Sequence, residues 1–169
     1  PLSTYFPGEA VIFTVATLCL FVFNFHKALK DQATIGTALT LFGIVYVAWF
    51  FSYMIKIRIQ PHGHFWVFYT IAIVKLGDAA AYFVGKTFGK HKYVVHISPN
   101  KSVEGAIANF IFTLLASIAF SFYLPQVPML HFIILGIIFG IVSQLGDLSE
   151  SLLKRDAGVK DSGQIPGLG

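Results

Sequence analysis

A carboxylate followed by basic residues marks the end of the last long apolar segment of the chain. Asp147 lies where further apolar residues would be expected, and Lys154 and Arg155 follow about two helical turns later. Only 8 of the 169 residues are Asp or Glu, and six of these lie between Asp78 and Asp161. Carboxylates can hold a divalent cation, and lysine and arginine bind phosphate. The pattern therefore predicts a metal-and-phosphate site at the edge of a membrane.

The polar residues around Asp147 repeat at helical spacing. On a helix of 3.6 residues per turn one face carries Ser143, Asp147, Glu150, Ser151 and Lys154. The triplet Leu-Gly-Asp occurs at 76–78 and again at 145–147, and each glycine would let a backbone or a ligand approach beside the acid. The alternative is a solvated helix end with i, i+4 charge support and basic residues that complement the helix dipole.

A second set of polar residues lies inside an apolar segment. Lys75, Asp78 and Tyr82 are spaced i, i+3 and i+7, so they share one helix face. Charges inside a membrane segment are costly and are usually paired or functional. The spacing predicts a site that faces a polar cavity, and the alternative is an internal Lys–Asp pair that locks two helices.

Two basic segments that contain glycine could bind phosphate. In the segment 154–163, arginine offers a two-pronged contact and lysine a point charge, with simple contact to anionic lipid headgroups as the alternative. In the segment 85–105, Gly85-Lys86-Thr87 resembles the end of a P-loop, but the preceding element is an apolar helix and the earlier glycine is missing. Ser98, Lys101 and Ser102 could still donate to phosphate. Ser102 to Gly105 predicts a helix start, with Glu104 in its first turn.

The composition places these residues in a membrane protein. Mean hydropathy is +0.72, and 12% of the residues are charged, compared with about 25% in soluble domains. Cys19, the single cysteine, is expected to be buried and inert. We predict an all-α fold, a polytopic transmembrane helical bundle with about five spans. The spans run over roughly 10–25, 33–55, 64–85, 106–124 and 128–153.

The distribution of Lys and Arg predicts the orientation. If the five spans alternate, nine basic residues share one side, Lys56 and Arg58 lie opposite, and Lys75 lies within a span. The excess predicts that the loop 86–105 and the tail 147–169 are cytosolic. We divide the chain into N-terminal transmembrane helices, 1–63, and a catalytic transmembrane region, 64–169. The start at Pro1 and the glycine-rich end predict a piece of a longer polypeptide.

Three separate motifs resemble those of the phosphatidate cytidylyltransferases, or CDP-diacylglycerol synthases. The family pattern Ser-x-x-Lys-Arg-x-x-x-x-Lys-Asp-x-Gly is matched from Ser151 to Gly163, and Pro166-Gly167 follows. Upstream, residues 78–82 match Asp-x-x-Ala-Tyr and residues 89–92 match a Phe-Gly-Lys loop. Residues 98–105 match Ser-Pro-x-Lys-[Thr/Ser]-x-Glu-Gly. The resemblance covers about residues 75–169 in family order and spacing.

Two positions depart from the family pattern. Leu168 stands where the family usually has histidine, so the role of that histidine has no counterpart here. The sequence stops at Gly169, before the last acidic element of the family. We therefore expect one acid of a paired-metal site to be missing and this part of the protein to be incomplete as an enzyme.

The resemblance implies transfer of CMP from CTP to phosphatidate, which gives CDP-diacylglycerol and pyrophosphate. It implies Mg²⁺, with a second cation left open, because the candidate ligands are oxygens and the substrates bring phosphates. Implied metal ligands are Asp147, Asp78 and Asp161, and the implied catalytic residues are Asp147, Asp161, Lys154, Arg155 and Lys160. Implied substrate-binding residues are Ser98, Lys101, Ser102, Glu104, Tyr82 and Ser151.

Two alternatives remain from the sequence. One is a CTP-dependent transferase or kinase that acts on a polyprenol or an archaeal-type lipid. The other is an ion-transport segment lined by Lys75, Asp78 and Asp147, although the fourth span and the outer half of the fifth are nearly free of ionisable residues. Membrane lipids are expected partners, nucleic acid is not, and a homodimer is left open.

Overall fold

The computed structural model describes residues 6–25 and 33–159, and within them every regular element is helical. The chain forms two compact units, Pro1–Gly63 and His64–Gly169. The assignment of catalysis to the second region stays a prediction. The all-α architecture predicted from the apolar segments is confirmed.

In the first unit, the described residues form two helical rods. Helix α1 spans Phe6–Phe25. The second rod consists of α2, Ala33–Gly43, a π-helical stretch, Ile44–Trp49, and α3, Phe50–Arg58. The backbone at both junctions stays in the right-handed helical region, so these three elements form one continuous rod.

The second unit is built from three long helices. Helix α4 spans Gly63–Phe88, α5 spans Val103–Phe120 with a 3₁₀ turn at Ser121–Tyr123, and α6 spans Met129–Asp156. Helices α4 and α5 extend three residues into each end of the predicted loop 86–105, which leaves 89–102 as the connection. The last predicted span, 128–153, corresponds to α6, which continues as far as Asp156.

Among the residues that the structure describes, four helices are long and apolar enough to cross a membrane, and the protein is an integral membrane protein. They are Ile35–Arg58, Gly63–Phe88, Val103–Tyr123 and Met129–Asp156. The first helix has a shorter apolar stretch, Val11–Leu20. Cys19 is exposed, so the expectation of a buried thiol is wrong. The reason is that α1 turns much of its apolar surface outward, as membrane helices do, with Ile12 71% exposed.

An aromatic cluster joins the three helices of the second unit at the end far from the 89–102 connection. Tyr69 of α4 and Phe132 of α6 are buried, and their rings meet edge to face. The Tyr69 hydroxyl lies 2.6 Å from Ser117 Oγ, which in turn donates to the carbonyl of Phe132. This hydrogen-bonded chain satisfies polar groups where water is excluded and fixes the order of the three helices.

Small residues let the helices approach each other closely. A Cβ at Gly77 would lie 2.1 Å from Thr113 Oγ1, and a Cβ at Gly105 would lie 2.9 Å from the carbonyl oxygen of Ala81. On α6, a Cβ at Gly136 would lie 2.9 Å from Ser117 Cβ. Close packing of this kind holds helices together in lipid, where the hydrophobic effect between them is absent.

Candidate functional site

A cavity of about 610 Å³ opens where α4, α5, α6 and the 89–102 connection meet. Each element contributes functional side chains. Helix α4 provides Asp78 and Tyr82, the connection provides Lys101 and Ser102, and α6 provides Asp147. These are five of the residues predicted from the sequence, so the structure brings together groups that lie up to 69 residues apart in the chain. The predicted polar cavity beside Asp78 is present.

Asp78 is held by neighbours on two sides. Asn109 of α5 donates from Nδ2 to Asp78 Oδ1 at 3.3 Å. Lys75 Nζ lies 3.9 Å from Asp78 Oδ2, although the Lys75 side chain is 77% exposed and the pair is a loose one. Lys75 and Asp78 are on the same helix, so this pair does not lock two helices together. The hydrogen bond from Asn109 to Asp78 links α4 to α5 at this level.

Asp147 faces the connection from the last part of α6. Its Oδ2 lies 3.8 Å from Lys101 Nζ, and the Asp147 side chain is 51% exposed. Lys101 therefore brings positive charge beside a carboxylate that solvent and ligands can still reach. Burial raises the pKa of the nearby Tyr93 hydroxyl, and the negative charge of Asp147 raises it further. Tyr93 thus stays protonated at neutral pH and can donate a hydrogen bond into the cavity.

Ser102 is the last residue of the connection and caps the N-terminus of α5. Its backbone is extended, its side chain accepts a hydrogen bond from the Gly105 amide at 3.2 Å, and it is only 3% exposed. The predicted helix start at Ser102 is confirmed. A Cβ at Gly89 would lie 2.6 Å from Ser102 Oγ, so the end of α4 passes directly over this cap.

Several predicted residues are not among those that line the cavity. Glu104 contacts His91, Lys154 pairs with Glu150 at 2.7 Å, and Arg155 donates from Nε to the carbonyl of Ile97 at 3.2 Å. Ser98 and Ser151 also do not line the cavity. Lys160 and Asp161 lie outside the described residues. Substrate and metal roles for all these residues stay predictions.

The two Leu-Gly-Asp triplets have different surroundings. Gly77 packs against Thr113, whose Oγ1 is buried without a hydrogen-bond partner among the described residues. Nothing lies within 4 Å of a Cβ placed at Gly146. The expected close approach beside the acid is therefore found before Asp78, whereas no atom of the described residues makes it before Asp147.

The structure adds cavity residues that sequence reasoning did not single out. The most informative is Asn109, which is 3% exposed in the middle of an apolar span. It donates to Asp78 and accepts from Ser143 Oγ of α6 at 3.5 Å, so it links three helices. The sequence signal that could have identified Asn109 was an amide side chain inside an apolar segment. The other polar or charged lining residues outside the predicted site residues are Gln144 of α6 and, from the segment 85–105 that was predicted to bind phosphate, Lys86, Lys92, Tyr93 and Asn100.

Replacement of Asn109 by leucine is expected to weaken the site more than the fold. The Asp78 carboxylate would lose its donor, and an unpaired partner in a low-dielectric site typically costs about 1–3 kcal/mol. We expect about a 10-fold loss of activity for Asn109→Leu and a smaller loss for Asn109→Gln. The measurement is turnover of the full-length protein. Equal turnover of Asn109→Leu and wild type would contradict the role.

The donor set suits a magnesium–nucleotide complex. Asp78 and Asp147 present carboxylate oxygens to the same cavity. Among the residues that the structure describes, no group of three or more His, Cys, Asp or Glu side chains could hold a metal by itself. Mg²⁺ is commonly bound through one or two carboxylates together with substrate phosphates, so two carboxylates are sufficient for this chemistry.

Comparisons with known proteins agree with the motifs. A sequence profile described as the cytidylyltransferase family matches residues 3–169. The phosphatidate cytidylyltransferase of Bacillus subtilis (strain 168) is 40% identical over 129 residues, which cover 74% of this chain and 48% of the relative. Those of Chlamydia muridarum and Haemophilus influenzae are 35% and 34% identical and cover 89% of this chain and 55% and 56% of the relatives.

The chain spans about half the length of the curated relatives it matches. The profile nevertheless covers both units and every element that lines the cavity. The resemblance first noted over residues 75–169 thus extends over almost the whole sequence. On this basis the chain belongs to the cytidylyltransferase family.

Proposed function

We propose that the protein of which this chain is part transfers CMP from CTP to phosphatidate, giving CDP-diacylglycerol and pyrophosphate. The observation that carries the proposal is a cavity at one end of the apolar helices, where two carboxylates from α4 and α6 meet lysines from the connection. The names of the similar bacterial proteins support the same reaction.

The reaction needs charge neutralisation more than a strong base. A phosphate oxygen of phosphatidate attacks the α-phosphorus of CTP, the bond from that phosphorus to the bridging oxygen breaks, and pyrophosphate leaves. Because the attacking group is already an anion, the site must bring two polyanions together. Lys101 and Lys92 line the cavity and supply positive charge for phosphate oxygens.

We assign Mg²⁺ to Asp78 and Asp147, with Asp161 as a further ligand and a second cation left open. When bound, the cation neutralises phosphate charge and orients the triphosphate. Asn109 keeps one oxygen of Asp78 engaged and thereby fixes the carboxylate plane. Lys101 balances the charge of Asp147 before substrate arrives.

The surroundings of the cavity suit a lipid substrate. Tyr82 lines the cavity and is 60% exposed, and the neighbouring Phe83 is 67% exposed on the outer surface of α4. Acyl chains can therefore lie along this helix while the phosphate enters the cavity. The contacts of Lys101 with Asp147 and of Arg155 with Ile97 place the two basic segments at one end of the unit, which we assign to the cytosol.

The test uses the full-length protein in sealed membrane vesicles with CTP labelled on either the α- or the γ-phosphate. We expect label from α-labelled CTP in CDP-diacylglycerol when phosphatidate is the acceptor, and only when CTP reaches the cytosolic face. Transfer of the γ-label to a polyprenol would identify a kinase instead. Transfer of the α-label to an archaeal-type lipid phosphate, with none to phosphatidate, would reassign the acceptor.

A further inference from the structure

The 89–102 connection supplies much of the cavity but has little regular structure. Its main-chain order within the described residues rests on a single bridge between Lys92 and Ser102 and on turns at Val94–Ser98 and Ser98–Lys101. Six cavity residues come from it: Gly89, Lys92, Tyr93, Asn100, Lys101 and Ser102. The position of these side chains therefore depends on what anchors the connection to the helices.

One carboxylate anchors the beginning of the connection to the beginning of α5. Glu104 accepts from the His91 backbone amide, at 3.2 Å to Oε1 and 3.3 Å to Oε2. His91 Nδ1 lies 2.6 Å from Glu104 Oε1. In return, the Val103 amide donates to the His91 carbonyl at 2.8 Å. Both the backbone and the ring of His91 are thus tied to the first turn of α5.

The helix that carries Glu104 is itself firmly placed. The neighbouring Gly105 packs so closely against α4 that a Cβ would lie 3.3 Å from Gly85 Cα. Ser102 caps the same turn and is buried. The position of Glu104 is therefore set by the packing of α5. The His91 side chain, by contrast, is 80% exposed.

We infer that Glu104 is a positioning residue: it clamps the connection through His91 and so holds Lys101 and Ser102 at the cavity. The inference rests on the proposed function. Glu104 does not line the cavity, and both of its oxygens already accept hydrogen bonds from His91. A direct bond from Glu104 to a cation or substrate would require the clamp to open.

The first test compares variants of the full-length protein that separate hydrogen bonding from charge. Glu104→Ala removes the hydrogen bonds between the Glu104 carboxylate and His91. Since a misplacement of active-site groups by about 1 Å can cost about 10²-fold in rate, we expect kcat/KM for CTP to fall about 10- to 100-fold. Glu104→Gln can still accept from the His91 amide and should retain activity to within about threefold. His91→Ala keeps the backbone bonds and should lie between the two.

A different ranking of the activities of these three variants would overturn the inference. If Glu104 bound a cation or a substrate directly, Glu104→Gln would lose as much activity as Glu104→Ala, and His91→Ala would be harmless. A double-mutant cycle adds a second criterion. Lys101→Ala should cost less in the Glu104→Ala background than in wild type, because Lys101 is already displaced there. Additive effects would count against the clamp.

The second test does not depend on turnover. Hydrogen exchange of the His91 and Val103 amides should accelerate in Glu104→Ala, while amides in the middle of α5 stay protected. Thr87→Ala is the matched control, since it removes a hydrogen bond to Phe83 at the edge of the same connection without touching the clamp. Unchanged exchange at His91 in Glu104→Ala would refute the clamp. A wild-type protein without CMP transfer would refute only the proposed function.

Discussion

Replacement of Asp147 by asparagine in the full-length protein is expected to lower CMP transfer by at least ~10²-fold, the loss typical for one well-placed electrostatic group in an active site. The change keeps the size of the side chain and removes its charge. Asp147 lies in the C-terminal half of α6 and lines the cavity. Its side chain is half exposed, and its Oδ2 lies 3.8 Å from Lys101 Nζ. The amide would be a poorer ligand for a cation and would leave Lys101 without its counter-charge.

The measurement is incorporation of α-labelled CTP into lipid at saturating phosphatidate. Asp156→Asn is the matched control, because it removes one carboxylate from the last residue of the same helix, outside the cavity. We expect the control to retain turnover close to wild type. Equal turnover of Asp147→Asn and wild type would remove Asp147 from the metal site and would leave Asp78 as its only described carboxylate.

The sequence was sufficient to predict the helices because each span carries its own signal. Apolar length sets the crossing segments, and Ser102 with Glu104 marked the start of α5 in advance. The motifs also selected Asp78, Lys101 and Asp147, which the structure gathers in one cavity. Spacing within one helix, however, cannot show which helices are neighbours, so the close meeting of α4, α6 and the connection required the structure.

Residue type alone could not separate substrate ligands from anchors. Arg155 and Glu104 are charged residues within family motifs, and both could bind a phosphate or a cation directly. The structure shows contacts that residue type does not reveal: Arg155 donates to the Ile97 carbonyl and Glu104 accepts from His91. Asn109 was overlooked for the opposite reason, because a single amide in an apolar span forms no local pattern with its neighbours in the chain.

The crossing of α4 and α5 makes Gly105 a position where a larger side chain should damage the fold severely. Its Cβ would lie 2.9 Å from the Ala81 carbonyl oxygen and 3.3 Å from Gly85 Cα. Both are backbone atoms, so rotation of a side chain cannot relieve the contact. Overpacking usually costs about 1–3 kcal/mol, and Gly105→Leu should reach or exceed the upper end of that range.

The separation of the two helices should also abolish activity, since Ser102 and Lys101 would move away from Asp78. The measurement is the midpoint of thermal unfolding of the detergent-solubilised full-length protein, together with CMP transfer. Gly36→Ala is the control, because no atom in the described part of the chain lies within 4 Å of a Cβ there and alanine favours a helix by up to about 1 kcal/mol. We expect a lower midpoint and no turnover for Gly105→Leu, with both retained in Gly36→Ala. An unchanged midpoint for Gly105→Leu would mean that the backbones of α4 and α5 are not in contact at Gly105. The cavity could then not be lined by this contact between the two helices.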